Sequence, residues 1–211
     1  MKLIPLPLPD NHAEIVYISH VLANITDEAV LNIFSECYRI LKPDGILRIV
    51  EADIDIYYNA YKRNDYILWS KYPKTEEQKL WEQNWFSVDA NVLQNATLEE
   101  KFLLYRFRQL SPIAPIDHQK ISSAEFRKLL SEKTPMDVFT YFSSLCSFDV
   151  KHPEYHINFF NLEKASQFLH KAGFKNVLPS AYGQSNCPVL RDTDFFDTTV
   201  PSVSFYCEAI K

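Results

Sequence analysis

The sequence predicts an α/β fold interrupted by a helical insert, and three observations carry that expectation. Residues 14–52 hold two apolar, β-branched runs separated by one amphipathic stretch. Residues 54–150 lose the strand signal and show helical spacing instead. From Leu162 onward, helix and strand patterns alternate again. Apolar runs with so little alternation belong to strands buried in a parallel sheet.

Glu14 to Leu22 is the first such run. Thr26 then stands as an N-cap, with Asp27 and Glu28 placed to complement a helix dipole. Val30, Ile33, Phe34, Cys37 and Leu41 recur at helical spacing, which predicts a helix over 27–41. The breakers Lys42-Pro43-Asp44-Gly45 end it, and Ile46–Ala52 reads as a second buried strand. Strand, helix and strand within some forty residues make a βαβ unit, whose crossover is expected to be right-handed.

The insert shows helical spacing near 54–70, 75–86, 97–110, 122–132 and 135–146. Thr97-Leu98-Glu99-Glu100 and Ser122-Ser123-Ala124-Glu125 have the form of capping boxes, and Pro135 sits at a favoured first helical position. The α/β pattern resumes with a helix over Leu162–Lys171, stopped at Gly173. A short strand at 174–178, a polar loop over 179–201 and a final strand at 202–210 complete the chain. The expected organisation is one domain over 1–211, with residues 54–150 as an insert within it.

A chain of 211 residues removes roughly 70% of its unfolded surface from water, so no disulfide or metal staple is required. Its net charge of −5, with no basic cluster, argues against nucleic acid. The apolar stretches are strand-length, which argues against a membrane span, and alternating prolines in residues 5–9 argue against a signal peptide. The expected location is cytoplasmic. Cys37, Cys146, Cys187 and Cys207 form no CxxC pair, so reduced thiols are expected. Aromatic residues reach 14%, enough to suit a pocket or an interface as well as a core.

Several passages carry a resemblance. Leu6-Pro7-Leu8-Pro9-Asp10-Asn11, Glu14-Ile15-Val16-Tyr17 and Ser19-His20-Val21-Leu22 resemble the "LPxPDNSxDxVYxSHVLEH" passage of class I S-adenosylmethionine-dependent methyltransferases (methyltransferase type 11-like). Tyr38 to Ile49 is similar to their "RVLKPGGxLRI" segment, and Ala172-Gly173-Phe174 to their late "AGF". The ending, from Gln184-Ser185 to Lys211, resembles one bacterial branch of the family. The resemblance covers about 6–53 and 160–211. It implies a Rossmann-like, three-layer methyltransferase sheet and S-adenosylmethionine as cofactor.

It also implies that this chain is N-terminally truncated. The family holds its cofactor with a glycine-rich turn and a ribose-binding acid that precede the matching passage, and only five residues precede it here. Gly45, Gly173 and Gly183 are the chain's three glycines, none of them in such a turn. Binding of S-adenosylmethionine by this chain alone is therefore not expected. A natural remnant, half of a split enzyme and a late start all fit. Where the family often has Glu-His, this chain has Ala23-Asn24. In the family strand order the strand at 14–22 becomes a sheet edge, so a homodimer or a partner chain pairing there is expected.

Ligands of open α/β sheets bind beyond the carboxyl ends of parallel strands. That rule selects His20 after the first strand, Asp53 and Asp55 after the second, and Gln184, Ser185 and Arg191 in the loop before the last. All six are candidate substrate contacts, each with an ordinary structural alternative. His152 and His156, with Glu154, have the look of a metal pair, but Pro153 between them disfavours a helix and no third ligand is marked. Neither a GxSxG elbow nor a P-loop is present. Two functions follow: a methyltransferase acting on a small molecule or glycan, or a non-catalytic binding or assembly subunit built on the same scaffold.

Overall fold

The computed structural model describes residues 5–65, 68–69 and 84–211. In chain order the strands are β1 (Ala13–Ser19), β2 (Leu41–Ala52), β3 (Asn176–Ser180) and β4 (Ser204–Ile210). The helices are α1 (Asp27–Ile40), α2 (Ile54–Arg63), α3 (Ala90–Asn95), α4 (Leu98–Arg106), α5 (Ser123–Glu132), α6 (Pro135–Leu145) and α7 (Leu162–Ala172). The chain divides into two compact units, one of residues 1–53 with 160–211 and the other of 54–159.

The first unit is the Rossmann-like α/β sheet that the sequence predicts. Its strand order is β1-β2-β4-β3, with β1 parallel to β2 and β4 antiparallel to both its neighbours. The two-residue period of the strands sorts the side chains. Leu47 and Ile49 of β2 join Cys207 and Ala209 of β4, and Val30, Phe34, Cys37, Ala165 and Leu169 of α1 and α7 close over them. On the opposite face Arg48 and Glu208 project into the loop that joins β3 to β4.

Local chemistry sets the boundaries. The Thr26 side chain accepts the Ala29 N–H, so α1 starts where its cap allows. β1 stops at Ser19, short of the expected Leu22, because His20 adopts φ +50° and turns the chain into a 3₁₀ turn over Leu22–Asn24. The helix gives way to β2 at Leu41 without a separate loop. The breakers at 42–45 appear as an irregularity of the ladder, since Ala13 pairs with Leu41 but Ile15 with Ile46. β3 runs 176–180 rather than 174–178, because Gly173 and Phe174 are occupied in ending α7.

The second unit is helical. Thr97 and Glu100 cap α4 reciprocally, Ser122 accepts the Glu125 N–H at the start of α5, and Thr134 with Pro135 opens α6. The short α3 is an addition to the sequence reading, and most of the expected helix at 75–86 lies outside the described residues. Stacked and edge-on rings form the core: Phe102 lies 5.3 Å from Phe126 and 5.4 Å from Phe139, and Phe107 lies 5.4 Å from Phe142. Trp69 and Tyr105 join it, whereas Trp85 is exposed and Trp81 lies outside the described residues.

Gly173 shows why a glycine ends α7. Its φ is +112°, and the following Phe174 N–H reaches back to the Leu169 carbonyl, the long-range bond of a Schellman motif. That turn drops Phe174 into the core, edge-on to Tyr38 at 5.1 Å. A Cβ at Gly173 would meet the Tyr38 ring at 3.4 Å on a backbone that disfavours any side chain. Gly173→Ala is therefore expected to lower stability by about 1–2 kcal/mol. Urea unfolding would show this as a lower midpoint with an unchanged slope.

Candidate functional site

The carboxyl ends of β1 and β2 lie side by side, because the strands are parallel and His20 donates its N–H to the Val50 carbonyl at 2.9 Å. Period two places Glu51 on the face of Leu47 and Ile49, at their carboxyl end. Its carboxylate is 1% exposed and accepts the backbone N–H groups of Leu22 (2.7 Å), Ala23 (3.3 Å) and Ala52 (2.8 Å). Two of those N–H groups belong to the 3₁₀ turn after β1, which Glu51 holds against the end of β2.

His20 stands between this carboxylate and β4. Its Nδ1 is 3.8 Å from Glu51 Oε1 and its Nε2 is 2.9 Å from Ser204 Oγ. The Ser204 hydroxyl is also 2.9 Å from the Val200 carbonyl. A hydroxyl has one proton; given to Val200, it leaves Oγ to accept from His20 Nε2. Serine, histidine and glutamate thus stand in a row, but the proton order is the reverse of a nucleophilic triad, where the serine proton must point at the histidine. The row fixes the imidazole; it does not activate Ser204.

Asp53 follows β2, where its N–H bonds the Val203 carbonyl at 2.8 Å and its backbone bridges to Phe160. Asp55 is an exposed residue in the first turn of α2, in the other unit. Gln184, Ser185 and Arg191 lie in the β3–β4 loop, and the polar bonds that fix them are internal. The Gln184 carbonyl accepts from Arg48 Nη1 at 2.8 Å, the Ser185 hydroxyl donates to Glu208, and Arg191 Nε donates to the Ser185 carbonyl at 2.8 Å. Of the histidines noted for metal, His152 pairs with Glu154 at 3.2 Å, and His156 Nδ1 lies 2.7 Å from the Tyr105 carbonyl. No three potential metal ligands cluster among the described residues.

The loop is anchored by a charge cluster that sequence reading missed. Arg48, Asp197 and Glu208 are fully buried. Arg48 Nε and Nη2 engage the two oxygens of Asp197 as a fork, and Nη1 reaches Glu208 at 3.2 Å. Burial works against the guanidinium charge, but the hydrogen bonds and charges of Asp197 and Glu208 outweigh it and raise the Arg48 pKa. Tyr17 Oη accepts the Asp197 N–H at 2.7 Å, tying β1 to the same cluster. Burial pushes the Tyr206 hydroxyl up to about 12 and the Cys207 thiol, on the other face, also to about 12. The available signal was a charge inside each of two apolar strands, Arg48 in β2 and Glu208 in β4, since buried charges must be paired.

Comparison with known proteins bears on this site. Residues 1–49, which include β1, α1 and the start of β2, match the family model described as a methyltransferase domain. The chain is also similar to the ubiquinone/menaquinone biosynthesis C-methyltransferase UbiE of Psychromonas ingrahamii, 35% identical over 69 residues. That stretch is 33% of this chain and 27% of the relative, so the chain spans about a quarter of the relative's length. The similarity to a methyltransferase domain thus falls on the βαβ segment of the sheet.

The family implies S-adenosylmethionine, whose ribose hydroxyls and methionine end need a free acid and close backbone approach. The residues after β1 and β2 fit this poorly. Gly45 precedes the regular part of β2, Gly173 ends α7 and Gly183 sits in the β3–β4 loop, so none lies at these strand ends. Glu51 already accepts three backbone N–H groups. Among the described residues, the turns after β1 and β2 do not make a complete cofactor cradle.

Removing the Arg48 cation would leave two buried carboxylates facing each other. Arg48→Met is expected to cost about 3–5 kcal/mol in urea unfolding. Adding Asp197→Asn and Glu208→Gln should recover part of the loss, because neutral amides tolerate burial better than unpaired carboxylates.

Proposed function

We propose that this chain is the acceptor-side portion of an S-adenosylmethionine-dependent methyltransferase, acting on a small molecule or glycan, with its cofactor site completed by another chain paired along β1. The observation that carries the reading is the match of residues 1–49 to a methyltransferase domain, mapped onto a folded β1–α1–β2 segment. Methyl transfer asks little of side chains beyond alignment of acceptor, methyl carbon and leaving sulfur, with a base where the acceptor needs one. His20, held in place between Glu51 and Ser204 at the carboxyl end of β1, is a candidate substrate contact. Asp53, next along the same edge, is a candidate acceptor contact.

The form of β1 supports the pairing. His20 directs its N–H to β2, and backbone groups alternate along a strand, so Ile18 and Val16 face β2 as well. Ile15, Tyr17 and Ser19 therefore turn their N–H and C=O groups outward, and no strand pairs with that edge among the described residues. Apolar edges with free amides are templates for strand addition.

A second reading has its own observation: His20 and Glu51 are engaged in internal bonds, which suits a scaffold subunit without catalysis. Calorimetric titration with S-adenosylmethionine, together with sedimentation velocity, separates the two. The expected outcome is little binding by the chain alone, and binding after co-expression with the product of the reading frame immediately upstream, in a species of larger mass. Saturable binding by a monomer would sink the shared-site proposal in favour of a self-sufficient enzyme. No binding in either case would leave the scaffold reading.

A further inference from the structure

The helical unit contains a buried arginine whose polar edge has no acceptor among the described residues. Arg106, in the last turn of α4, is 1% exposed. Its Nε and Nη2 are both buried, and neither has a hydrogen-bond partner among the described residues. These two atoms are not an arbitrary pair. They form the side-on edge of the guanidinium, where two N–H groups point the same way and match the two oxygens of a carboxylate or phosphate.

The same protein shows that edge satisfied. Arg48 uses Nε and Nη2 to grip the two carboxylate oxygens of Asp197. Arg106 instead lies against aromatic residues. Its Cζ lies 4.8 Å from the centre of the Tyr57 ring, and Trp69 meets the same ring edge-on at 5.9 Å. The Trp69 indole Nε1 is a further buried donor without a partner among the described residues. An aromatic face stabilises a cation but accepts none of its in-plane N–H groups. Buried donors are ordinarily satisfied, and a charged one left without an acceptor is costly.

We propose that Arg106 is the anchor of an oxyanion-binding site in the helical unit, which takes the carboxylate or phosphate group of a small molecule on its Nε/Nη2 edge against Tyr57, with Trp69 beside it. The proposal does not depend on the methyltransferase reading, because it concerns residues 54–159 alone.

The test uses the full-length protein, with sodium succinate and sodium phosphate each titrated against sodium chloride at matched ionic strength. Thermal melts and the ¹⁵N–¹H resonance of the Arg106 side-chain Nε are followed. At about a hundredfold excess over its dissociation constant, at least one oxyanion is expected to raise Tm by roughly 5 °C and move that resonance. A response to succinate alone identifies a carboxylate ligand, and a response to phosphate alone identifies a phosphate ester. Arg106→Met should lose the response while melting, without added anion, at or above the wild-type temperature, because it removes a buried cation with no partner. Arg106→Lys keeps the charge but loses the paired N–H groups, and should keep only a small part of the shift. The proposal is overturned by a wild-type protein indifferent to both anions, or by either variant responding in full. It is also overturned if Arg106→Met melts several degrees lower unaided, since the guanidinium would then be serving the fold itself.

Discussion

The sheet unit depends on how one buried positive charge is satisfied. Arg48 sits in β2 between the apolar residues Leu47 and Ile49, fully buried, and cannot be left unpaired there. Its five donors go to Asp197, Glu208, Ser180 and the carbonyls of Ala181 and Gln184. Those partners come from β3, β4 and the loop between them. One side chain therefore fastens the long β3–β4 connection to the face of the sheet that helices α1 and α7 do not cover. Glu208 extends the fastening by accepting both amide groups of Asn186. The loop's polar sequence is thereby explained: these residues are chosen for what they satisfy beneath them.

Much of the fold was legible because it rests on local rules. The cap at Thr26, the reciprocal pair Thr97 and Glu100, and the turn at Gly173 all stand where residue type placed them. The parallel β1–β2 pair follows from two apolar runs joined by one amphipathic helix. What escaped was set by long-range pairing. Nothing near His20 announces a positive φ, because that angle follows from its bond to Val50 and its place beside Glu51 and Ser204. The loop residues Gln184 and Ser185 looked available for a ligand, since their partners Arg48 and Glu208 are distant in sequence. Glu51 looked like an ordinary strand end, because its acceptor role lies in a turn thirty residues earlier.

Arg48 and Arg108 make an instructive pair. Arg48 has its guanidinium edge closed by a carboxylate, and its pKa is held up by that partner. Arg108, also largely buried, has aromatic rings of Tyr155 and Phe86 for company at 4.6 Å and 5.6 Å, and burial lowers its pKa. Arg48 in the sheet unit is thus met with opposite charge, whereas Arg106 and Arg108 in the helical unit face aromatic rings. An interior of the second kind is less tightly specified, since a ring face stabilises a cation without fixing the direction of its N–H groups.

The strand order has a consequence for synthesis. In the sheet β1-β2-β4-β3, the strand that comes latest in the sequence lies between β2 and β3. Until β4 has left the ribosome, β2 and β3 have nothing to join them, and Arg48 lacks Glu208. The helical unit is continuous in sequence from 54 to 159 and is under no such delay. Emerging first as a whole, it can fold while β1 and β2 are still waiting. The half of the protein that begins earliest is therefore the one that must finish last.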